Sequence, residues 1–347
     1  MIKIKSIKKQ ILNVIFLLLL VFVTFFVLIN SSKEFSINEL FSFISQLNPI
    51  YLLLGVLAMI GYVLTLAMSY KVICSHLGYK CSLIKHTAYA CSEVYYSAIT
   101  PSASGGQPAA ALYMHKGGIP VSVSSATLLF NTFNHTLAIM VFGIGALIVR
   151  AGDFIYFGTF SKILIIAGLA VQFLLIAFFT ILMISRKTVE KILIGAVSLL
   201  AKIRIIRKKE ERTKQILSII EQYVTCIDMI KSNKLLFVKV LSLNLLQRLC
   251  NLIITWFVFA ATGISGFGFI DIIAMQSFCM LGANSVPLPG SVGVSEMLYV
   301  DVFKSAMPDD MLLPAMMVTR CLSYYLCFIL SGIVTFINHI ISFKKKL

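Results

Sequence analysis

Gly282-Ala-Asn-Ser-Val-Pro-Leu-Pro-Gly-Ser-Val-Gly-Val-Ser-Glu296 places two prolines, three glycines and a carboxylate inside an otherwise apolar run. A helix crossing a bilayer cannot continue through Pro287, Pro289, Gly290 and Gly293 without giving up backbone hydrogen bonds. Bare backbone at membrane depth is tolerated only where it is buried in protein or lines a wet cavity. A second break lies upstream at Ile99-Thr-Pro-Ser-Ala-Ser-Gly-Gly-Gln-Pro108, built on Pro101, Ser104, Gly105, Gly106, Gln107 and Pro108. Two broken apolar segments in corresponding places point to the binding site of a transporter.

The rest of the composition agrees. The chain of 347 residues is 59% hydrophobic and 13% charged, where soluble domains carry about 25% charged residues. This is an all-α polytopic membrane protein. Its net charge of +16 resides in a few loops, as orientation in a membrane requires, and no nucleic-acid-binding module accompanies it. The eight cysteines form no CxxC pair, and the five histidines have no metal-ligand spacing. Free thiols are expected, with no metal or other cofactor.

Taken in order, the basic N-terminus precedes an apolar run at 11–29, read as a first transmembrane helix (1–30) with its N-terminus in the cytoplasm. Residues 49–70 span back, and Lys71, Lys80 and Lys85 mark the inner side. Residues 86–117 break at the first motif into halves of about 14 residues, each too short to cross a ~30 Å core. The solution is a re-entrant hairpin. Residues 121–149 cross outward and 160–184 return. The segment 186–234 is polar, and its Lys and Arg outnumber Asp and Glu by more than two to one, which fits the cytoplasm.

Within that segment Val189, Ile192, Leu193, Val197 and Leu200 repeat with helical period. So do Ile216, Ile219, Ile220, Tyr223, Val224 and Ile227. Both stretches read as amphipathic helices, lying on the inner leaflet or packing on the bundle. Residues 235–262 cross outward, 269–304 form the second broken hairpin, and 311–342 return to a cytoplasmic C-terminus. Helix, broken hairpin and helix thus occur at 49–149 and again at 235–342, an inverted repeat within one integral membrane domain with about six full spans.

Several polar residues fall inside these spans. Asn244, Gln247, Arg248 and Asn251 share one helix face, as do Asn131, Asn134 and His135. Asn131 follows Pro101 by 30 residues and Arg320 follows Pro289 by 31, so the polar faces correspond across the repeat. Arg320, Ser323 and Tyr324 form that second face, while Glu93 and Glu296 lie in the hairpin halves. A charge here faces a partner or water. Either Arg248 or Arg320 pairs with Glu93 or Glu296 and locks the bundle, or the polar residues form a groove whose guanidinium groups fork onto a phosphate. Half-helix N-termini at the breaks would add to the attraction for an anion. Ser104-x-x-Gln107 matches a capping box that would start a half-helix.

The two break motifs, in this order and with Lys116-Gly-Gly-Ile119 after the first, resemble the lysylphosphatidylglycerol synthase transmembrane (flippase) family. This is the membrane part of the multiple peptide resistance factor, a determinant of antimicrobial peptide resistance. The resemblance covers nearly the whole chain. It implies movement of an aminoacylated phospholipid between the leaflets of the cell membrane. Lysine transfer belongs to a separate soluble domain that is not expected after Leu347. Where many members carry a basic residue after the first Gly-Gly, this chain has Ala109-Ala110-Ala111.

The leading expectation is therefore a lipid flippase acting on a membrane phospholipid, aminoacylated phosphatidylglycerol among the candidates. The alternatives are a phosphatidylglycerol lysyltransferase or glycosyl lipid-modifying enzyme, or a non-catalytic partner of a separately encoded lipid synthase. Polyprenyl-linked or hopanoid lipids are other candidate substrates. No nucleic-acid partner is expected, and an oligomer is left open.

Overall fold

A computed structural model describes residues 37–202 and 209–344, and every regular element among them is helical. The predicted span at 11–29 lies outside the described residues. Among the described residues, five helical stretches are long and apolar enough to cross a membrane: Pro49–His76 (α2), Val121–Val149 (α5), Thr159–Ile184 (α7), Lys234–Ala261 (α10) and Asp309–Ile341. A short helix, Ile37–Gln46 (α1), precedes them. The last span is a composite. Asp309–Arg320 (α13) passes through a π-helical turn at Cys321–Tyr325 into Leu326–Lys344 (α14). This wide turn directly follows Arg320, and such turns gather at functional sites.

The two break motifs fold as re-entrant hairpins. Leu83–Ala98 (α3) and Gly106–Lys116 (α4) meet at a 3₁₀ turn, Pro101–Ala103; Phe269–Ala283 (α11) and Val294–Phe303 (α12) meet at another, Pro289–Ser291. The turns do the work the prolines imposed, and each forces one non-glycine residue to positive φ, Ala103 at 53° and Ser291 at 49°.

Hydrogen bonds fix which end of the bundle each hairpin enters. The Gly158 amide donates to Asp301 at 2.8 Å, and Arg150 reaches Asp271 at 3.1 Å. The turn after α5, which contains Ala151–Phe154 (α6), therefore shares an end with the base of the second hairpin. Asn48, which caps α2, joins that end by donating its amide to Ala261 O. At the other end His76 closes α2 against Met229, and Ser122, just beyond the first hairpin, donates to Gln222 at 3.0 Å. The hairpins enter from opposite ends and their tips pack together in the middle. There the Tyr324 hydroxyl donates to Ala98 O at 3.1 Å, and Ile99 and Val292 are buried among Tyr95, Tyr96, Tyr324 and Phe328.

Close backbone approach seats the second hairpin. A Cβ on Gly168 of α7 would lie 2.0 Å from the Leu281 carbonyl, so only glycine lets α11 settle against α7. On its other faces α7 is peripheral, with Ile163, Ile166, Phe173 and Leu174 turned outward.

The polar segment forms Arg186–Lys202 (α8) and Lys209–Lys231 (α9). Ile220, Tyr223 and Ile227 of α9 are buried against the bundle, and the Tyr223 hydroxyl donates to Leu182 O. That helix packs on the protein. On α8 Val189 is buried but Ile192 and Leu193 stay exposed. The side chains of Val197, Leu200 and Ile216 lie outside the described residues. The expected capping box at Ser104 does not form. α4 begins at Gly106 without a side-chain cap, Thr100 Oγ1 takes the Gly105 amide at 2.9 Å, and Gln107 turns away to donate to Thr132.

Candidate functional site

Two polar assemblies occupy the interior, and they differ in kind. The first is a closed clasp at the second hairpin tip. Glu296 is the third residue of α12, so one carboxylate oxygen accepts from the Gly293 amide at 2.7 Å and from Ser295 Oγ at 3.0 Å. The other accepts Arg320 Nε at 2.8 Å, while an Arg320 Nη donates to Gly290 O at 3.1 Å. The guanidinium also lies over the Tyr324 ring, 4.6 Å from its centroid. The Glu296 side chain is 3% exposed and that of Arg320 16%. Each charge finds its opposite within the protein.

Gly290 is required at this clasp. Its φ is +59°, and a Cβ there would lie 2.1 Å from the Tyr324 hydroxyl. Gly290→Ala is expected to lower the thermal midpoint through ~1–3 kcal/mol of backbone strain, plus the clash. Tyr324→Ala in the same chain should recover the steric part only. An unchanged midpoint for Gly290→Ala would show that the tip is not held as described.

The second assembly lies between α2, α5 and α10 and is open in its chemistry. Ser69 Oγ donates to Asn131 Oδ1 at 2.5 Å, and Asn244 Nδ2 reaches the same oxygen at 3.1 Å. One turn along α10, Arg248 Nη2 meets the His135 ring. Arginine has only donors, so the ring nitrogen it meets accepts. Arg248 is 8% exposed, and no carboxylate lies within ion-pair distance of it among the described residues. Among the described residues its Nε has no hydrogen-bond partner, nor do Asn134 Oδ1, Asn244 Oδ1, Gln247 Oε1 and Glu93 Oε2. Tyr62 of α2 lies beside Gln247 and feels the charges of both Arg248 and Glu93. Native interiors leave few polar atoms unsatisfied, so such a concentration marks a place built for something other than packing.

The candidates from the sequence therefore separate. Asn131, Asn244, His135 and Arg248 come together, with Asn134 and Gln247 buried and Glu93 half-buried nearby in the chain's interior. Glu296 and Arg320 form the clasp. Asn251 is half-buried with no side-chain hydrogen bond among the described residues. Pro101, Ser104, Pro108 and Pro287 are exposed at or beside the tips, Gly105 and Gly293 are half-buried, and Gly106 and Pro289 are buried. Ser69 and Tyr62 escaped sequence reading because an isolated hydroxyl in an apolar span carries no pattern. The Gly293-x-x-Glu296 spacing was a readable signal for the clasp, since an acidic residue at the third helical position reaches back to the first free amide.

Paired re-entrant hairpins inside a bundle of apolar spans define a polytopic membrane protein with a polar site at the repeat interface. The family model described as lysylphosphatidylglycerol synthase TM region matches residues 10–331, and the chain belongs to that family. Its function is accordingly tied to membrane lipids. No curated protein matches the chain.

Proposed function

We propose that the protein moves a phospholipid between membrane leaflets, with Arg248 holding the phosphate of the head group. The observation that carries this reading is a buried guanidinium with no carboxylate beside it. A cation in such surroundings is expensive unless an anion meets it, and a phosphate meets its fork of donors well. The His135 ring fixes one side of the guanidinium and leaves Nε free. Glu93, with its own unpartnered oxygen, adds a carboxyl group in the same interior. A guanidinium and a carboxyl kept apart suit a head group bearing both a phosphate and an amine, since an ammonium beside the carboxyl favours its ionised form, and an aminoacylated phosphatidylglycerol carries both groups.

In this reading the protein lies in the cell membrane, with Lys85, Lys116 and the α8–α9 segment on the cytoplasmic side together with both termini. The test is translocation of fluorescent phosphatidylglycerol in liposomes containing the purified protein, against protein-free liposomes. Equal rates in the two would sink the proposal. Sidedness is checked separately with single cysteines in a cysteine-free chain. A membrane-impermeant thiol reagent should reach Ser102→Cys from the cytoplasm and Ser291→Cys from outside. Labelling of both from one side contradicts the arrangement.

A further inference from the structure

A second lipid-like site lies away from Arg248, where α5, α7, α9 and α10 converge. A cleft of about 450 Å³ opens there, floored by Phe130, Phe133 and Phe237 and walled by Val238. Lys231 and Lys234 stand at its rim. Lys231 pairs with Asp228 at 2.9 Å, but that carboxylate is 62% exposed and its hold on the ammonium is weak. Lys234 makes no ion pair among the described residues. Three aromatic rings below two ammonium groups form a surface that is apolar within and cationic at the edge. The cleft lies beside helices long and apolar enough to span, and the neighbouring Leu235 and Val238 are 63% and 55% exposed. An apolar cleft so placed suits a lipid chain, and basic pockets between membrane helices suit anionic head groups.

We infer that this cleft binds one anionic phospholipid of the adjoining leaflet, its phosphate between Lys231 and Lys234 and an acyl chain along Phe130, Phe133 and Phe237. The site holds a resident lipid against the junction of α9 and α10. It shares no residue with the Arg248 assembly and does not depend on the proposed translocation. Phe133→Trp in a Trp256→Phe chain gives a single reporter beside the cleft, because Trp256 is the only tryptophan. The protein is placed in phosphatidylcholine nanodiscs, and brominated phosphatidylglycerol or brominated phosphatidylcholine is titrated in. Quenching should favour phosphatidylglycerol. K231Q/K234Q should weaken that preference about thirtyfold, about fivefold for each lysine. Arg248→Gln should leave it intact, which separates this site from the interior one. Equal quenching by the two lipids, an unchanged preference in K231Q/K234Q, or its loss in Arg248→Gln would each overturn the inference.

Discussion

Arg248→Gln is expected to slow lipid translocation at least tenfold while leaving the protein at least as heat-stable as before. The two halves of that expectation come from one fact. Arg248 meets a histidine ring and, among the described residues, no carboxylate, so its burial is uncompensated there. Removing the charge relieves the resting protein. The same change deletes a charge-assisted contact to phosphate of roughly 1.5–3 kcal/mol, which is about tenfold to a hundredfold in rate. Arg248→Lys should restore only part, because an ammonium keeps the charge but loses the planar fork. The measurements are fluorescent lipid flip in liposomes and the thermal midpoint in detergent. Normal flip by Arg248→Gln, or lost flip accompanied by a collapsed midpoint, would make the residue scaffolding.

The clasp should behave in the opposite way. Arg320→Gln strands Glu296, which is almost sealed from solvent, and breaking such a pair costs about 3–5 kcal/mol. The loss should fall toward the lower figure because Arg320 keeps some exposure and Glu296 retains the Gly293 amide. Glu296→Gln should cost a comparable amount, since the guanidinium then loses its counter-charge and keeps only neutral partners, Gly290 O and the Tyr324 ring among them. The double change Arg320→Met with Glu296→Gln removes both charges and should recover much of the midpoint, giving a coupling that single changes cannot show. If Arg320→Gln melts like the parent protein, the pair contributes nothing and the second hairpin is held by packing alone.

The contrast between these two arginines shows where sequence reading ends. Pro287, Pro289 and Pro101 break their helices by covalent geometry, so the hairpins were legible without any neighbour in view. Their opposite directions followed from the loops, because Lys85 and Lys116 frame one base while Asp271 and Asp301 frame the other. Helical spacing then placed Arg248 and Arg320 on polar faces, but a face does not name what lies across from it. Both arginines read alike, and so did both glutamates. What separates them is a cap. Glu296 stands three residues after Gly293 and is anchored before Arg320 arrives, whereas Glu93 sits mid-helix with no such anchor. The wide turn at Cys321–Tyr325 left no trace in the pattern, since one inserted residue shifts an apolar helix without changing its composition. The capping box at Ser104 was a true match in letters that lost to Thr100, a competitor for the same end of the chain.

The meeting of the two hairpin tips has an electrical consequence. Each tip carries exposed groups, among them Ser104 on one side and Asn284 on the other. If solvent follows each hairpin inward to these groups, the insulating layer shrinks from the full thickness of the bilayer to the contact between the tips. The transmembrane voltage would then fall across that contact as a concentrated local field. A head group carried past Tyr324 and Ala98 would cross nearly all of it in one short step. Each net elementary charge so moved is worth about 2.3 kcal/mol for every 100 mV, so an anionic and a neutral zwitterionic lipid would respond differently to the same voltage.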